Sequence, residues 1–82
     1  VYLMADAADY LAATNIALIG FDYLGIERNQ PAHQTHLAFA SAGIPILEGL
    51  RLAAITPGNY MLHALPILLQ GLDAAWARAI VI

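Results

Sequence analysis

The sequence predicts a mixed α/β (α+β) fold with two helices and a mixed sheet of short strands. Two segments carry apolar residues three or four positions apart, as on one face of a helix. Four others are short apolar runs bounded by Gly, Pro or Asn, which is typical of strands. Their order is helix, strand, helix, strand, strand, strand, and no repeat or linker divides the 82 residues. One domain at most is therefore expected.

Both predicted helices have recognisable ends. The first spans residues 6–13, with Asp6 and Asp9 in its first half, where the helix dipole favours negative charge. The second begins at Pro31, whose fixed φ suits a first helical turn, and ends before Gly43. Along the sequence, one predicted helix therefore precedes the first predicted strand and the other follows it.

The apolar runs predict strands at residues 16–21, 44–47, 59–69 and 78–82. Pro45 cannot donate a hydrogen bond to a sheet, so the second strand is expected at an edge or at its own start. Asp22 follows the first strand, and ligands often gather just beyond strand ends in α/β folds. Asp22 is therefore either a pocket residue or a residue that holds the following loop.

The composition is more apolar than a free-standing small domain would be. Hydrophobic residues make up 61% of the chain and charged residues 11%, against about 45–50% and about a quarter in ordinary soluble domains. Two explanations fit: the chain is a subunit of a homo-oligomer, or the remainder of the same domain covers it. The start at Val1 and the apolar end at Ile80-Val81-Ile82 favour the second.

Several classes of protein are disfavoured. The net charge is −3 and the three arginines are isolated, so a nucleic-acid partner is not expected. The uncharged run from Leu52 to Leu72 contains Pro57, Gly58 and Pro66, which argues against a membrane span. The absence of cysteine excludes disulfides and thiolate metal sites. No signal peptide is visible, and a cytoplasmic location is expected.

His36 and Glu48 are the strongest candidates for metal ligands. His36 lies on the second helix, and Glu48 closes the strand that follows. Imidazole and carboxylate are ligands of zinc, manganese and iron. A carboxylate at the end of an apolar strand needs solvent, a cation or a metal. On spacing alone, His36 is better explained as a helix-surface or half-buried histidine with one hydrogen bond, and His33 as its coincidental His-x-x-His neighbour.

Five short motifs stand in order along residues 16–82. They are Gly20-Phe21-Asp22-Tyr23-Leu24, His36 with Ile44-Pro45-Ile46-Leu47-Glu48-Gly49-Leu50, Pro57-Gly58-Asn59-Tyr60, Ala64-Leu65-Pro66-Ile67, and Asp73 with Arg78-Ala79. In this order and at these distances they resemble the C-terminal half of the cyclase family, which includes the bacterial kynurenine formamidases (arylformamidases).

The resemblance implies a swivelling β/β/α fold and a metal-dependent hydrolase. In that family a divalent metal, usually zinc or manganese, activates water to cleave an amide in a small molecule such as formyl-kynurenine. The metal-site His and Glu of the family correspond to His36 and Glu48, with zinc as the first expectation and manganese as the second. Asp22 and His33 are candidate substrate-pocket residues.

The chain also departs from the family pattern. The N-terminal His-x-Gly-Thr-His-x-Asp-x-Pro-x-His signature does not occur in the 82 residues, and Gly25 stands where the family has Ser. A catalytic zinc takes about three protein ligands, whereas His36 and Glu48 supply two. The sequence therefore predicts a single partial domain over residues 1–82 that is inactive by itself. The alternative is a truncated, non-catalytic module that acts as a structural or interaction subunit.

Overall fold

A computed structural model describes residues 1–82 and contains two helices and four strands. In chain order they are α1 (Ala5–Ala12), β1 (Ile19–Gly20), α2 (Gln34–Ser41), β2 (Ile46–Leu47), β3 (Leu62–Pro66) and β4 (Ala77–Val81). The predicted order of elements and the α+β class are confirmed.

The strands form two separate two-stranded sheets, where the sequence predicted one mixed sheet. β1 and β2 pair in parallel, with Ile19 opposite Ile46. β3 and β4 pair antiparallel, from Leu62 opposite Val81 to Pro66 opposite Ala77. Strands of two residues, such as β1 and β2, offer few backbone groups for pairing with further strands.

Three of the four strands are shorter than the apolar runs that predicted them, and β4 has the predicted length but begins one residue earlier. The first run, residues 16–21, forms hydrogen-bonded strand only at Ile19–Gly20. Ile16 instead packs against the core without pairing. Apolar character reports burial, and burial does not require a partner strand, which explains the difference.

The two helix ends of α2 contrast with each other. Gly43 follows the helix with a φ of 70°, the left-handed conformation that makes glycine a helix terminator. The helix begins at Gln34 and not at Pro31, because His33 before it has a φ of 53°. Residues 31–33 therefore form a turn outside the helix.

The core lies between α1 and α2. Its buried members are Ala8 of α1, Phe39 of α2, and Ile26 and Ile44 from the segments beside β1 and β2. Thr35 is also fully buried. No residue after position 50 is buried, so the core belongs entirely to the first 50 residues.

Neither helix is long and apolar enough to cross the hydrocarbon layer of a bilayer. Each has eight residues. The cytoplasmic location stays a prediction.

Candidate metal centre

His36 and Glu48 come together at one end of the parallel strand pair. His36 lies in the first turn of α2, and Glu48 directly follows β2. The His36 Nε2 atom is 3.6 Å from the Glu48 Oε1 atom. The side chains are 45% and 34% exposed, so solvent and ions reach both.

The separation of these two atoms fits a shared cation. A distance of 3.6 Å is too long for a hydrogen bond. Two zinc bonds of about 2.1 Å can span up to roughly 4.2 Å. The nitrogen and oxygen are therefore close enough for a single ion to contact both.

Glu27 completes the cluster, and the sequence analysis did not identify it. It lies in the loop between β1 and α2, and its side chain is only 3% exposed. Its Oε1 atom is 2.7 Å from His36 Nδ1, a hydrogen bond on the side of the ring opposite Glu48. The imidazole of His36 thus lies between two carboxylates.

The second oxygen of Glu27 caps α2. Oε2 accepts hydrogen bonds from the Thr35 backbone N–H at 2.7 Å and from Gln30 Nε2 at 2.6 Å. The first amides of a helix lack partners within the helix, and the residue that precedes α2, His33, supplies no side-chain cap. A carboxylate from the preceding loop takes that role, where the helix dipole favours negative charge.

These contacts keep Glu27 ionised. Burial raises the pKa of Glu27, but the hydrogen bond from His36, the backbone hydrogen bonds at Thr35 and His36, and the attraction of His36 outweigh it. The pKa of this carboxyl therefore lies below its usual value.

The charge on Glu27 fixes the proton on the imidazole. An ionised carboxylate only accepts hydrogen bonds, so His36 Nδ1 must donate to Glu27 Oε1. In a neutral imidazole the other nitrogen then carries a lone pair. That nitrogen, Nε2, is the one that faces Glu48.

Glu48 is held from the same loop. Its Oε1 atom accepts the Ile26 backbone N–H at 2.7 Å. Two consecutive loop residues, Ile26 and Glu27, therefore fix the two candidate ligands, one through a backbone amide and the other through a side chain.

His33 lies beside this cluster but is loosely held. Its Nδ1 atom is 3.6 Å from Glu27 Oε1, and its side chain is 77% exposed. Its ring meets that of His36 edge to face, with centroids 6.3 Å apart. Glu27, His33 and His36 each place a ligand atom within 4.8 Å of the others, a grouping that could hold a metal ion.

The sequence and the backbone are both similar to those of known proteins. Cyclase-like protein 2 of Oryza sativa subsp. japonica is 39% identical over 79 residues, which cover 94% of this chain and 29% of that protein. Kynurenine formamidase of Sphingopyxis alaskensis is 39% identical over 77 residues, or 93% of this chain and 37% of that protein. A solved structure of a potential metal-dependent hydrolase with cyclase activity is 48% identical and superposes with a TM-score of 0.93, covering 98% of this chain and 40% of that one.

The chain is related to the cyclase-like proteins and kynurenine formamidases. The resemblance inferred from the five motifs is confirmed, and so is the cyclase fold. No family model matches the sequence. The chain spans 29% and 37% of the lengths of the two curated relatives named above.

Asp22 makes one structural contact. Its Oδ2 atom accepts the Leu52 backbone N–H at 2.7 Å, so it holds the segment that follows β2. This segment is not the loop directly after Asp22 that the sequence analysis named, so the loop-holding interpretation stays a prediction. A pocket role for Asp22, like one for His33, stays a prediction.

An open groove of about 550 Å³ begins at Glu48 and runs towards β4. Its walls are mostly apolar, with Leu50 and Ile80 among them, and two arginines, Arg51 and Arg78, add positive charge. A groove of this size accommodates a small molecule, and it places that molecule next to one of the two candidate ligands.

Proposed function

We propose that residues 1–82 form the C-terminal portion of a cyclase-family domain that hydrolyses an amide in a small molecule, such as an N-formyl group. His36 and Glu48 are its contribution to a divalent metal site, with zinc as the first candidate and manganese as the second. One observation carries the proposal: His36 Nε2 lies 3.6 Å from Glu48 Oε1, with the opposite ring nitrogen hydrogen-bonded to Glu27.

With the His36 proton on Nδ1, the Nε2 lone pair and the Glu48 carboxylate repel each other unless a positive charge lies between them. A hydrogen bond restrains each side chain: His36 bonds to Glu27, and Glu48 bonds to the Ile26 amide. Neither side chain therefore rotates freely away from the other. A proton or a cation relieves the repulsion. A mixed nitrogen and oxygen donor pair suits zinc and manganese.

The relatives support the same class of reaction. The names kynurenine formamidase and potential metal-dependent hydrolase combine a metal with hydrolysis. Hydrolysis of a formamide adds water across the C–N bond and yields formate and an amine. When bound, a divalent cation supplies the Lewis acidity that such a reaction needs at neutral pH.

This chain's own residues bind and orient. His36 and Glu48 provide two donors, and the groove beside Glu48 receives the apolar part of the substrate. A catalytic zinc takes about three protein ligands, so the remaining donors come from the rest of the domain. We infer that the 82 residues alone bind metal weakly and do not turn over substrate.

The metal content of the full-length protein that carries residues 1–82 tests the assignment. His36→Ala and Glu48→Ala should each lower zinc affinity by more than about 100-fold. Removal of a residue that is only hydrogen-bonded to a metal ligand already lowers metal affinity by about 10–100-fold, and loss of the ligand itself should cost more. Formamide hydrolysis should fall with zinc affinity. Unchanged metal content and activity in both variants would rule the ligand pair out.

Two matched variants control for the loss of a histidine or an acid as such. His63 is exposed on β3, in the other sheet, and Asp73 lies exposed in the segment before β4. His63→Ala and Asp73→Asn should leave zinc affinity unchanged. Equal losses in these controls would show a general effect on folding and would contradict the assignment.

The isolated chain provides a second test. Residues 1–82, loaded with zinc, should show no hydrolysis of an N-formyl aromatic amine above the zinc-only rate. Turnover by the isolated chain would show that the remaining donors are not needed. Absence of metal and of activity in the full-length protein would favour the alternative, a non-catalytic interaction module.

A further inference from the structure

Glu27 is bonded at both ends of its carboxylate, although it belongs to a loop. One oxygen accepts from His36 Nδ1 at 2.7 Å. The other accepts from the Thr35 amide at 2.7 Å and from Gln30 Nε2 at 2.6 Å. Its side chain is only 3% exposed, so these three hydrogen bonds hold Glu27 in place with little competition from solvent.

The partners of Glu27 are themselves anchored. Thr35 Oγ1 donates to the Leu3 carbonyl at 2.7 Å and accepts from Gln30 Nε2 at 2.8 Å. Gln30 Oε1 in turn accepts the Ala5 backbone N–H at 3.0 Å. The carboxylate is thereby tied to the start of α1 through two neutral side chains.

We propose that Glu27 is the positioning residue of the metal centre: it fixes the ring orientation and the tautomer of His36 so that Nε2 is the ligand atom. The inference rests on the proposed function, since it assumes that His36 serves as a ligand. Carboxylates hydrogen-bonded to the far nitrogen of a ligating histidine orient the ring and raise its basicity. Glu27 has that placement here.

The geometry disfavours Glu27 as a ligand in its own right. Its Oε1 atom and His36 Nδ1 are at hydrogen-bonding distance, 2.7 Å. Two bonds of about 2.1 Å to one zinc ion would then meet at about 80°, well below the roughly 109° of a tetrahedral site. The grouping of Glu27, His33 and His36 therefore describes a ligand and its neighbours and not a complete donor set.

The variant Glu27→Gln gives a sharp expectation because the two side chains have the same shape. An amide has one oxygen and one NH₂ group. Its oxygen should turn towards the two donors, Thr35 N–H and Gln30 Nε2, which leaves NH₂ facing His36 Nδ1. The imidazole must then accept at Nδ1 and carry its proton on Nε2, the atom meant for the metal.

The first measurement needs no metal. Nitrogen-15 spectra of the His36 ring in the metal-free full-length protein, above the ordinary imidazole pKa of about 6.5, report the tautomer directly. Wild type should show the Nδ1–H form and Glu27→Gln the Nε2–H form. An Nε2–H tautomer in the wild type overturns the proposal without any variant, so a variant that fails to fold does not leave it untested.

The second measurement is zinc affinity. Glu27→Gln should lower zinc affinity by about 10–100-fold, the usual effect of losing a residue that is hydrogen-bonded to a metal ligand. The loss should be smaller than the loss in His36→Ala. His33→Ala should change zinc affinity much less than Glu27→Gln does. If Glu27→Gln and His33→Ala both reduced affinity as strongly as His36→Ala, the three residues would be the donor set and the positioning role would be wrong.

The two proposals fail in different ways. If His36→Ala and Glu48→Ala leave zinc binding unchanged, the proposed metal site is wrong whatever Glu27 does. If those variants abolish binding while Glu27→Gln alters neither the tautomer nor the affinity, the metal site stands and only the role of Glu27 is wrong.

Discussion

The first 50 residues and the last 32 are built in different ways. The first region contains every buried residue and the whole His–Glu network. The second contains the antiparallel pair β3 and β4, which is joined by backbone hydrogen bonds and has no buried residue. Its large apolar side chains lie open, with Leu68 95% and Trp76 83% exposed. The candidate ligands thus lie in a region with its own core. The antiparallel pair β3 and β4, called the hairpin below, has no residues packed over its apolar side chains.

The largest contrast should come from aromatic side chains in the two regions. Phe39→Ala removes a fully buried ring and should cost about 3–5 kcal/mol of unfolding free energy. Trp76→Ala in the same 82-residue chain should stay within about 0.5 kcal/mol, the range of ordinary surface changes. Urea titrations of the two variants measure the difference. Comparable losses would show that the hairpin shares the core.

A smaller contrast is expected for two threonines. Thr35 is fully buried, and its hydroxyl donates to the Leu3 carbonyl. Thr35→Val leaves that carbonyl and one N–H of Gln30 Nε2 without this partner and should cost about 1–3 kcal/mol. Thr56 bonds Tyr60 in an exposed turn, so Thr56→Val should cost far less. Thermal unfolding of both variants checks the ranking, and a reversed order would contradict it.

Acid should weaken the first region through Glu27. Its pKa in the folded protein lies below the usual 4.5, so the unfolded chain takes up the proton first. The stability that ionised Glu27 contributes is fully present above pH 4.5. It is lost as the pH falls through the pKa that Glu27 has in the folded protein. Burial opposes the hydrogen bonds, which keeps the net effect modest. The stability difference between wild type and Glu27→Gln should shrink below pH 4.5, and a difference that grew there would reverse the sign.

The smallest effect on stability should accompany a clear effect on association. Trp76→Ser should hardly change unfolding of the isolated chain, yet it should reduce self-association in sedimentation, because open apolar surface drives pairing. Tyr10→Ser, at an exposed ring on α1, is the matched control and should change association less. A wild-type chain that is monomeric at high micromolar concentration would contradict the prediction that the exposed apolar surface drives self-association. In the full-length protein Trp76→Ser should become more costly if the remainder of the domain covers the hairpin.

The sequence predicted the type and order of the elements but not their exact ends. Apolar periodicity reports which residues are buried, so it identified α1, α2 and the strand runs. The apolar pattern predicted too long a first strand, residues 16–21, because Ile16 packs against the core without pairing with another strand. It also started α2 at Pro31, because nothing local to that segment shows that a side chain from the preceding loop caps the helix at Thr35.

The same limit applies to the candidate site. His36 and Glu48 were identified from ligand chemistry and family motifs, and they lie 3.6 Å apart. Glu27 was missed because it lies in an irregular loop, where no periodic pattern marks an inward-facing side chain. The available signal was weak: an acid next to the apolar Ile26, a few residues before a helix that lacks its own capping residue.

The hydrogen bond from the Ala5 amide to Gln30 has a practical consequence. Gln30 contacts Glu27, and Glu27 contacts His36, so the amide proton at the start of α1 lies only three hydrogen-bonded steps from the imidazole. Its exchange with deuterated solvent should slow when an ion is loaded and quicken when the ion is stripped. If it does, hydrogen exchange at one backbone position far along the chain from His36 reports whether the site holds an ion.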